Sequence, residues 1–212
     1  MSPLPTRMIN RWQNRKEPGP GQGMLYWHIL VGDHPEARDL ANTAQKRLAG
    51  FRGLHMTPTE WLHVTTLVVG PSEEITADQQ QEMLTAASEL LAPLPPVTVT
   101  LSQILYHPEA IAVAVQPMDP LWQIRKAVQT ATHKAAGREG HTEGPSQWVP
   151  HMTLAYSEAE QPAEPLISTL GRDFSTHMFS IKEVTLIDQR GPERLWDWHS
   201  VGSAHLIGGQ QI

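Results

Sequence analysis

Apolar positions along this 212-residue chain come in short blocks, some alternating with polar ones and others recurring every three to four residues, with Gly and Pro between them. A period of two buries one side of a strand and a period near 3.6 one side of a helix, so the blocks can be read as elements. Residues 24–31, rich in aromatic and branched side chains and closed by Gly32-Asp33, predict a strand. Pro35 then suits a first helical turn, and Leu40, Ala44 and Leu48 form a stripe that Gly50 ends. Residues 61–69, between Pro58 and Gly70-Pro71, predict a second strand. Thr76 and Gln79 spell a capping box for a helix that buries Met83, Leu84, Ala87 and Leu91 and stops at Pro93. Residues 97–106 then alternate as a half-buried strand.

The second half repeats that order. Residues 111–115 predict a strand, and Asp119-Pro120 opens a helix with Leu121, Ile124, Val128 and Ala131 on one face before Gly137. The polar stretch 137–147 reads as a loop leading into a strand over 148–156. A short helix over 162–170 precedes two closing strands near 179–189 and 195–205, joined by Gly191-Pro192. The expected fold class is therefore α+β: two similar lobes with antiparallel sheets flanked by helices, related by a pseudo-two-fold axis about a central groove. Residues 24–206 form the expected bilobal domain, residues 1–23 a flexible N-terminal tail and residues 207–212 a C-terminal one.

Composition narrows the function. The absence of cysteine removes disulfides and thiolate-bound metals. No apolar run is long enough to span a membrane, and residues 1–23 contain none of the kind a secretion signal needs, so the expectation is a soluble cytoplasmic protein, monomeric by default. A net charge of −6 argues against a long grip on duplex nucleic acid and in favour of a nucleotide or an RNA end. Arg7, Arg11, Arg15 and Lys16 make the N-terminal tail basic against an acidic body.

One short pattern recurs in matching context: Leu62-His63-Val64-Thr65-Thr66-Leu67 in the first half and Pro150-His151-Met152-Thr153-Leu154 in the second. Alternation along a strand puts His63 with Thr65 on one face and His151 with Thr153 on one face, and a two-fold would turn the pairs towards each other across the groove. The bare pattern is weak, since eleven histidines and seventeen threonines predict roughly one chance His-x-Thr. A third copy, His55-Met56-Thr57, runs at once into Pro58 with no apolar continuation, and is set aside. The chemistry suits the other two: one neutral and one protonated imidazole can coexist near neutral pH, so a histidine pair can activate water on one side of a phosphorus and protonate the departing oxygen on the other. The set contains neither a metal-ligand spacing nor a glycine-rich phosphate loop.

The two motifs closely resemble those of the 2H phosphoesterase superfamily, specifically its 2'-5' RNA ligase-like and cyclic phosphodiesterase proteins, over roughly residues 24–205. The resemblance implies a metal-independent, cofactor-free phosphodiesterase acting on an RNA-type nucleotide or RNA end, by hydrolysis of a 2',3'-cyclic phosphate or by cleavage or joining of 2'-5' linkages. It implies His63 and His151 as the general acid and base, with His63 leaning to acid and His151 to base, and Thr65 and Thr153 as phosphate donors. Alternatives are a phosphodiesterase of a signalling oligonucleotide and a non-catalytic module that binds a nucleotide or RNA end.

Three neighbours are substrate-binding candidates. His28 shares a face with Tyr26 on the first strand. Tyr156 stands where many members of the resembled family carry a basic residue that meets phosphate, although its parity differs from that of Thr153. Trp148, like Trp61, sits just before a motif and could stack on a base. Arg138 and His141 in the polar loop could reach a phosphate, with a solvated loop as the plainer expectation.

Overall fold

The sequence punctuation is realised in the backbone. In a computed structural model describing residues 4–13, 15, 17–19, 21–142 and 148–208, the Thr76 hydroxyl accepts from the Gln79 amide while the Gln79 side chain accepts from the Thr76 amide, closing the capping box. The elements are β1 (Arg7–Met8), β2 (Gly23–Leu30), α1 (Pro35–Leu48), β3 (Leu54–Met56), β4 (His63–Pro71), α2 (Ala77–Leu91), β5 (Val97–His107), β6 (Ala110–Gln116), α3 (Met118–Ala136), β7 (His151–Ser157), β8 (Gln161–Pro162), α4 (Glu164–Leu170), β9 (Asp173–Ile181), β10 (Glu183–Arg190) and β11 (Trp198–His205). At the end of α3, Gly137 takes φ 65°, a left-handed cap that glycine adopts without a Cβ penalty.

Two antiparallel sheets carry the fold, one in the order β11-β10-β2-β4 and the other β3-β7-β6-β5-β9. The helices α2 and α3 pack together and against the first sheet, and α1 packs against the second with α4 beside it. The α+β class, the two lobes and the flanking helices are thus as expected, but a lobe is not a half of the chain. The helix that follows β2 crosses to the second sheet, the one that follows β6 crosses to the first, and β10 and β11 return to complete the first sheet. The stretch read as one strand over 179–189 breaks at Lys182, where the chain leaves the second sheet and enters the first.

Each sheet has a helix-covered face and a face turned away from its helices. On β2, Leu25, Trp27 and Ile29 are buried, and Trp27 donates its indole N–H to Thr132 of α3 at 3.1 Å, so Tyr26, His28 and Leu30 occupy the other face. On β7, Met152 and Leu154 are fully buried, and Gln45 of α1 donates to the Leu154 carbonyl at 3.0 Å. These side chains join one continuous apolar core, each large one contributing about 1.5–3 kcal/mol by burial.

The basic arm departs from expectation over its described part. It is packed: β1 pairs with β8, Met8 is fully buried, and Arg11 and Trp12 are nearly so. Its amides follow the same route, Ile9 donating to Pro108 and Arg11 to Ser157. The flexible-tail expectation fails because charge outweighs the two apolar residues, Met8 and Trp12, that anchor the segment. Lys16 and residues 143–147 and 209–212 lie outside the described residues, and with them part of the expected loop and C-terminal tail.

Candidate active site

Both motif strands run beside a partner that displays their side chains identically. On β4, His63 stands opposite Leu30 and Thr65 opposite His28; on β7, His151 stands opposite Ala114 and Thr153 opposite Ala112. In each ladder the register slips by one residue directly after the motif threonine, which makes Thr66 and Leu154 the extra residues of β-bulges. A bulge reverses the alternation beyond it. Tyr156 therefore stands opposite Ala110 and shares a face with His151 and Thr153, correcting the parity assigned from strict alternation.

The two imidazoles are held in the same way. The Nδ1–H of His63 donates to the Trp61 carbonyl at 2.7 Å, and that of His151 donates to the Val149 carbonyl, also at 2.7 Å. A ring whose Nδ1–H is committed to backbone presents Nε2 as the atom that takes or gives a proton. The 3₁₀ turn Thr59–Trp61 supplies the first of these carbonyls. The motif strands are also tied across the sheets, because Trp148, three residues before His151, donates its indole N–H to the main-chain carbonyl of Thr65 at 2.9 Å. Strands β4 and β7 pack against one another.

Around His63 the site is aromatic. The His28 ring stacks on it at 4.2 Å and 14°, Trp198 meets it edge-on at 4.9 Å, and Trp61 meets Trp198 edge-on at 4.8 Å. Tyr26, His28, His63, Gln189, Glu193, Trp196 and Trp198 line a small pocket here. Trp196 lies 6.3 Å from His63 and 6.0 Å from Tyr156, so one indole touches side chains of both lobes. It does so with φ 55°, a left-handed conformation that costs a non-glycine residue about 1–3 kcal/mol and that packing must hold in place.

The arm closes one end. Arg11 pairs bidentately with Glu193, at 3.1 and 2.9 Å, lies 3.6 Å from Glu109 and sits 4.4 Å above the Tyr156 ring. Since Glu109 belongs to the β5–β6 turn and Glu193 follows β10, this one guanidinium joins the two lobes. His107 is held below the usual histidine range, first by burial and then by the balance of Glu109 against Arg11, Arg15 and His151.

The substrate-binding candidates fare unevenly. His28 lies on the expected face, but it is 3% exposed and packed among Thr65, at 3.3 Å from Nε2 to Oγ1, and the rings of His63, Tyr26 and Trp198. Burial, with a smaller push from the charge of His63, holds it well below the usual histidine range. Trp148 is a buried core residue packed edge-on against Trp122, so the indole proposed to stack on a base instead joins the motif strands. Tyr156 is buried beneath Arg11 and beside Trp12 and Trp196, a support for the site instead of a surface open to a ligand. Arg138 pairs with Glu74, and the backbone of His141 bridges to Val68.

His55, set aside above, lies on a real if short strand paired with β7, and its ring stacks on Trp196. Sequence reasoning misses Arg11, Trp12, Trp196 and Trp198. Trp12, four residues after Met8 in a segment with few other apolar residues, is the available signal for a docked arm.

Comparison with known proteins agrees on the architecture. The sequence model described as the 2'-5' RNA ligase superfamily matches residues 34–193. Among solved structures, TT0787 of Thermus thermophilus superposes with a TM-score of 0.66 at 18% identity, covering 88% of this chain and 100% of that one. E. coli LigT complexed with 3'-AMP gives 0.65 at 16% identity, with 87% and 98% covered, and the MHV ns2 PDE domain gives 0.52 at 14%, with 74% and 90% covered. No curated protein matches the sequence. Among the described residues no helix is long and apolar enough to cross a membrane.

Proposed function

From the premise that this chain belongs to the 2'-5' RNA ligase superfamily, a group of 2H phosphoesterases, we propose that it is a metal-independent phosphodiesterase acting on RNA-type phosphodiesters through His63 and His151. The observation that carries the reading is the matched pair: two His-x-Thr strands, each followed by a bulge, each histidine fixed through Nδ1 to the carbonyl two residues before it. A site that only bound an anion would need donors, but not two proton carriers held in one tautomer.

The reaction proposed is opening of a 2',3'-cyclic phosphate, or scission of a 2'-5' linkage, through the same five-coordinate phosphorus. His151 takes a proton from the attacking water or hydroxyl, a new P–O bond forms, and the bond to the departing ribose oxygen breaks as His63 gives that oxygen a proton. The assignment follows exposure. The hydrogen bond that fixes His151 is open to solvent, where water arrives, whereas that of His63 is partly buried in the aromatic box. Thr65 and Thr153 donate to the non-bridging oxygens. The four residues are imidazoles and hydroxyls without a carboxylate, a set suited to proton transfer and anion contact. The substrate class extends to this chain from similar folds, since E. coli LigT is described in complexes with 3'-AMP, ATP and NADP+. A cytoplasmic monomer remains the proposed form.

The test is turnover of nucleoside 2',3'-cyclic phosphates and of 2'-5'-linked oligomers in the presence of chelator. Hydrolysis of at least one is expected; no turnover of either, or turnover only after metal is added, overturns the reading. Binding of these compounds without turnover, indifferent to His63→Ala and His151→Ala, would identify a binding module instead.

A further inference from the structure

His28 has no step of its own in the paired-histidine mechanism, yet it is buried against two residues that do. It is 3% exposed, parallel to the His63 ring at 4.2 Å, and 3.3 Å from the Thr65 hydroxyl through Nε2. Its Nδ1 is buried and has no hydrogen-bond partner among the described residues. An orphaned buried N–H is rarer in folded proteins than an under-satisfied acceptor, so the neutral ring is better placed with its proton on Nε2 and a bare lone pair on Nδ1. Burial keeps the ring neutral, its protonation held well below the ordinary histidine range by desolvation first and by the nearby His63 second.

That tautomer decides what Thr65 can do. A hydroxyl carries one proton and two lone pairs. If Oγ1 donated to His28, it would present only lone pairs to a phosphate and repel it. If Oγ1 accepts from His28, its own proton is free for an anionic oxygen. We propose that His28 is a positioning residue: it donates from Nε2 to Thr65 Oγ1 and thereby commits the Thr65 proton to the groove, making Thr65 a fixed donor to the substrate phosphate. The backbone around Thr65 is already held, by the Trp148 indole on its carbonyl and by the Thr66 hydroxyl, which donates to the Trp27 carbonyl at 2.7 Å, so the side-chain proton is the remaining freedom.

The role in turnover rests on the proposed function, but the tautomer does not. Nitrogen-15 NMR of the imidazoles in the unliganded wild-type protein should show His28 with a protonated Nε2 and an unprotonated Nδ1 across the neutral range; a protonated Nδ1 would overturn the proposal whatever the enzyme does. In kinetics with a 2',3'-cyclic nucleotide, His28→Phe keeps an aromatic ring against His63 and removes the donor, and should lower kcat about tenfold with KM little changed, a fraction of the loss for deleting such a donor outright. His28→Gln, whose amide can reach as Nε2 does, should recover most of that loss. In a Thr65→Val background His28→Phe should add nothing, because its effect passes through the hydroxyl. An undiminished penalty in that background would mean a merely structural role and would overturn the inference. Should His28→Phe fail to fold, the wild-type NMR still decides.

Discussion

Opposite Thr65 across its ladder stands His28; opposite Thr153 stands Ala112. The same substitution of bulk by alanine holds at the flanking positions, where Leu30 and Tyr26 on β2 correspond to Ala114 and Ala110 on β6. The two motif strands share a register, a bulge and a mode of fixing the imidazole, but their surroundings are opposite. His63 is stacked and boxed by His28 and tryptophans, whereas His151 looks over a floor of methyl groups. Equivalent backbone frames with unequal walls give two histidines different access to water and to charge. An acid and a base drawn from identical residues need such a difference, because one ring must meet the attacking water and the other the departing oxygen.

Removing either histidine tests whether both frames are used. His63→Ala and His151→Ala should each lower kcat by about 10²- to 10⁴-fold with circular dichroism unchanged. A loss for one alone would break the comparison. The next largest effect concerns the strap that joins the lobes. Arg11→Ala takes the buried guanidinium away from Glu193 and from Glu109, which keeps its pairing with Arg15, and should reduce stability by about 2–3 kcal/mol in urea denaturation, less than a fully buried pair because both carboxylates keep some solvent. An unchanged midpoint would mean that the arm merely rests on the surface.

The crowded wall also has a signature in pH. The folded protein holds His28 well below 6.5, so as pH falls through about 6.5 the unfolded state binds the proton first and stability declines. One such group contributes at most about 1.4 kcal/mol per pH unit, present above 6.5 and lost below it. His28→Phe should flatten that slope, leaving the share of His107, which has the same sign. Thermal melts between pH 7.5 and about 5 would show it. The smallest effect is expected from Trp148→Phe, which removes the indole bond to the Thr65 carbonyl at the cost of about 1 kcal/mol and a few-fold loss in rate.

How much of this is legible in the sequence follows the range of the interactions. The α+β class, the capping box and the faces carrying His63 with Thr65 and His151 with Thr153 are local matters of period and cap chemistry. The interleaving of the lobes is not legible, because periodicity says which side of a helix is apolar but not which sheet receives it. Strict alternation puts Tyr156 on the wrong face because a bulge leaves no mark in an apolar strand. Trp148 looks like a stacking platform because its place before a motif is visible and its burial against Trp122 is not. Charge misleads about the arm, with Met8 and Trp12 too sparse to form a pattern.

The central claim is that His63 and His151 serve one phosphate. It is tested most directly by titrating the protein with a nucleoside 2'- or 3'-monophosphate while following both imidazoles by nitrogen-15 NMR. Both rings should shift together along a single saturation curve, and Thr65→Val should weaken binding as read at either ring. A response confined to one histidine, or two curves with different midpoints, would contradict the account.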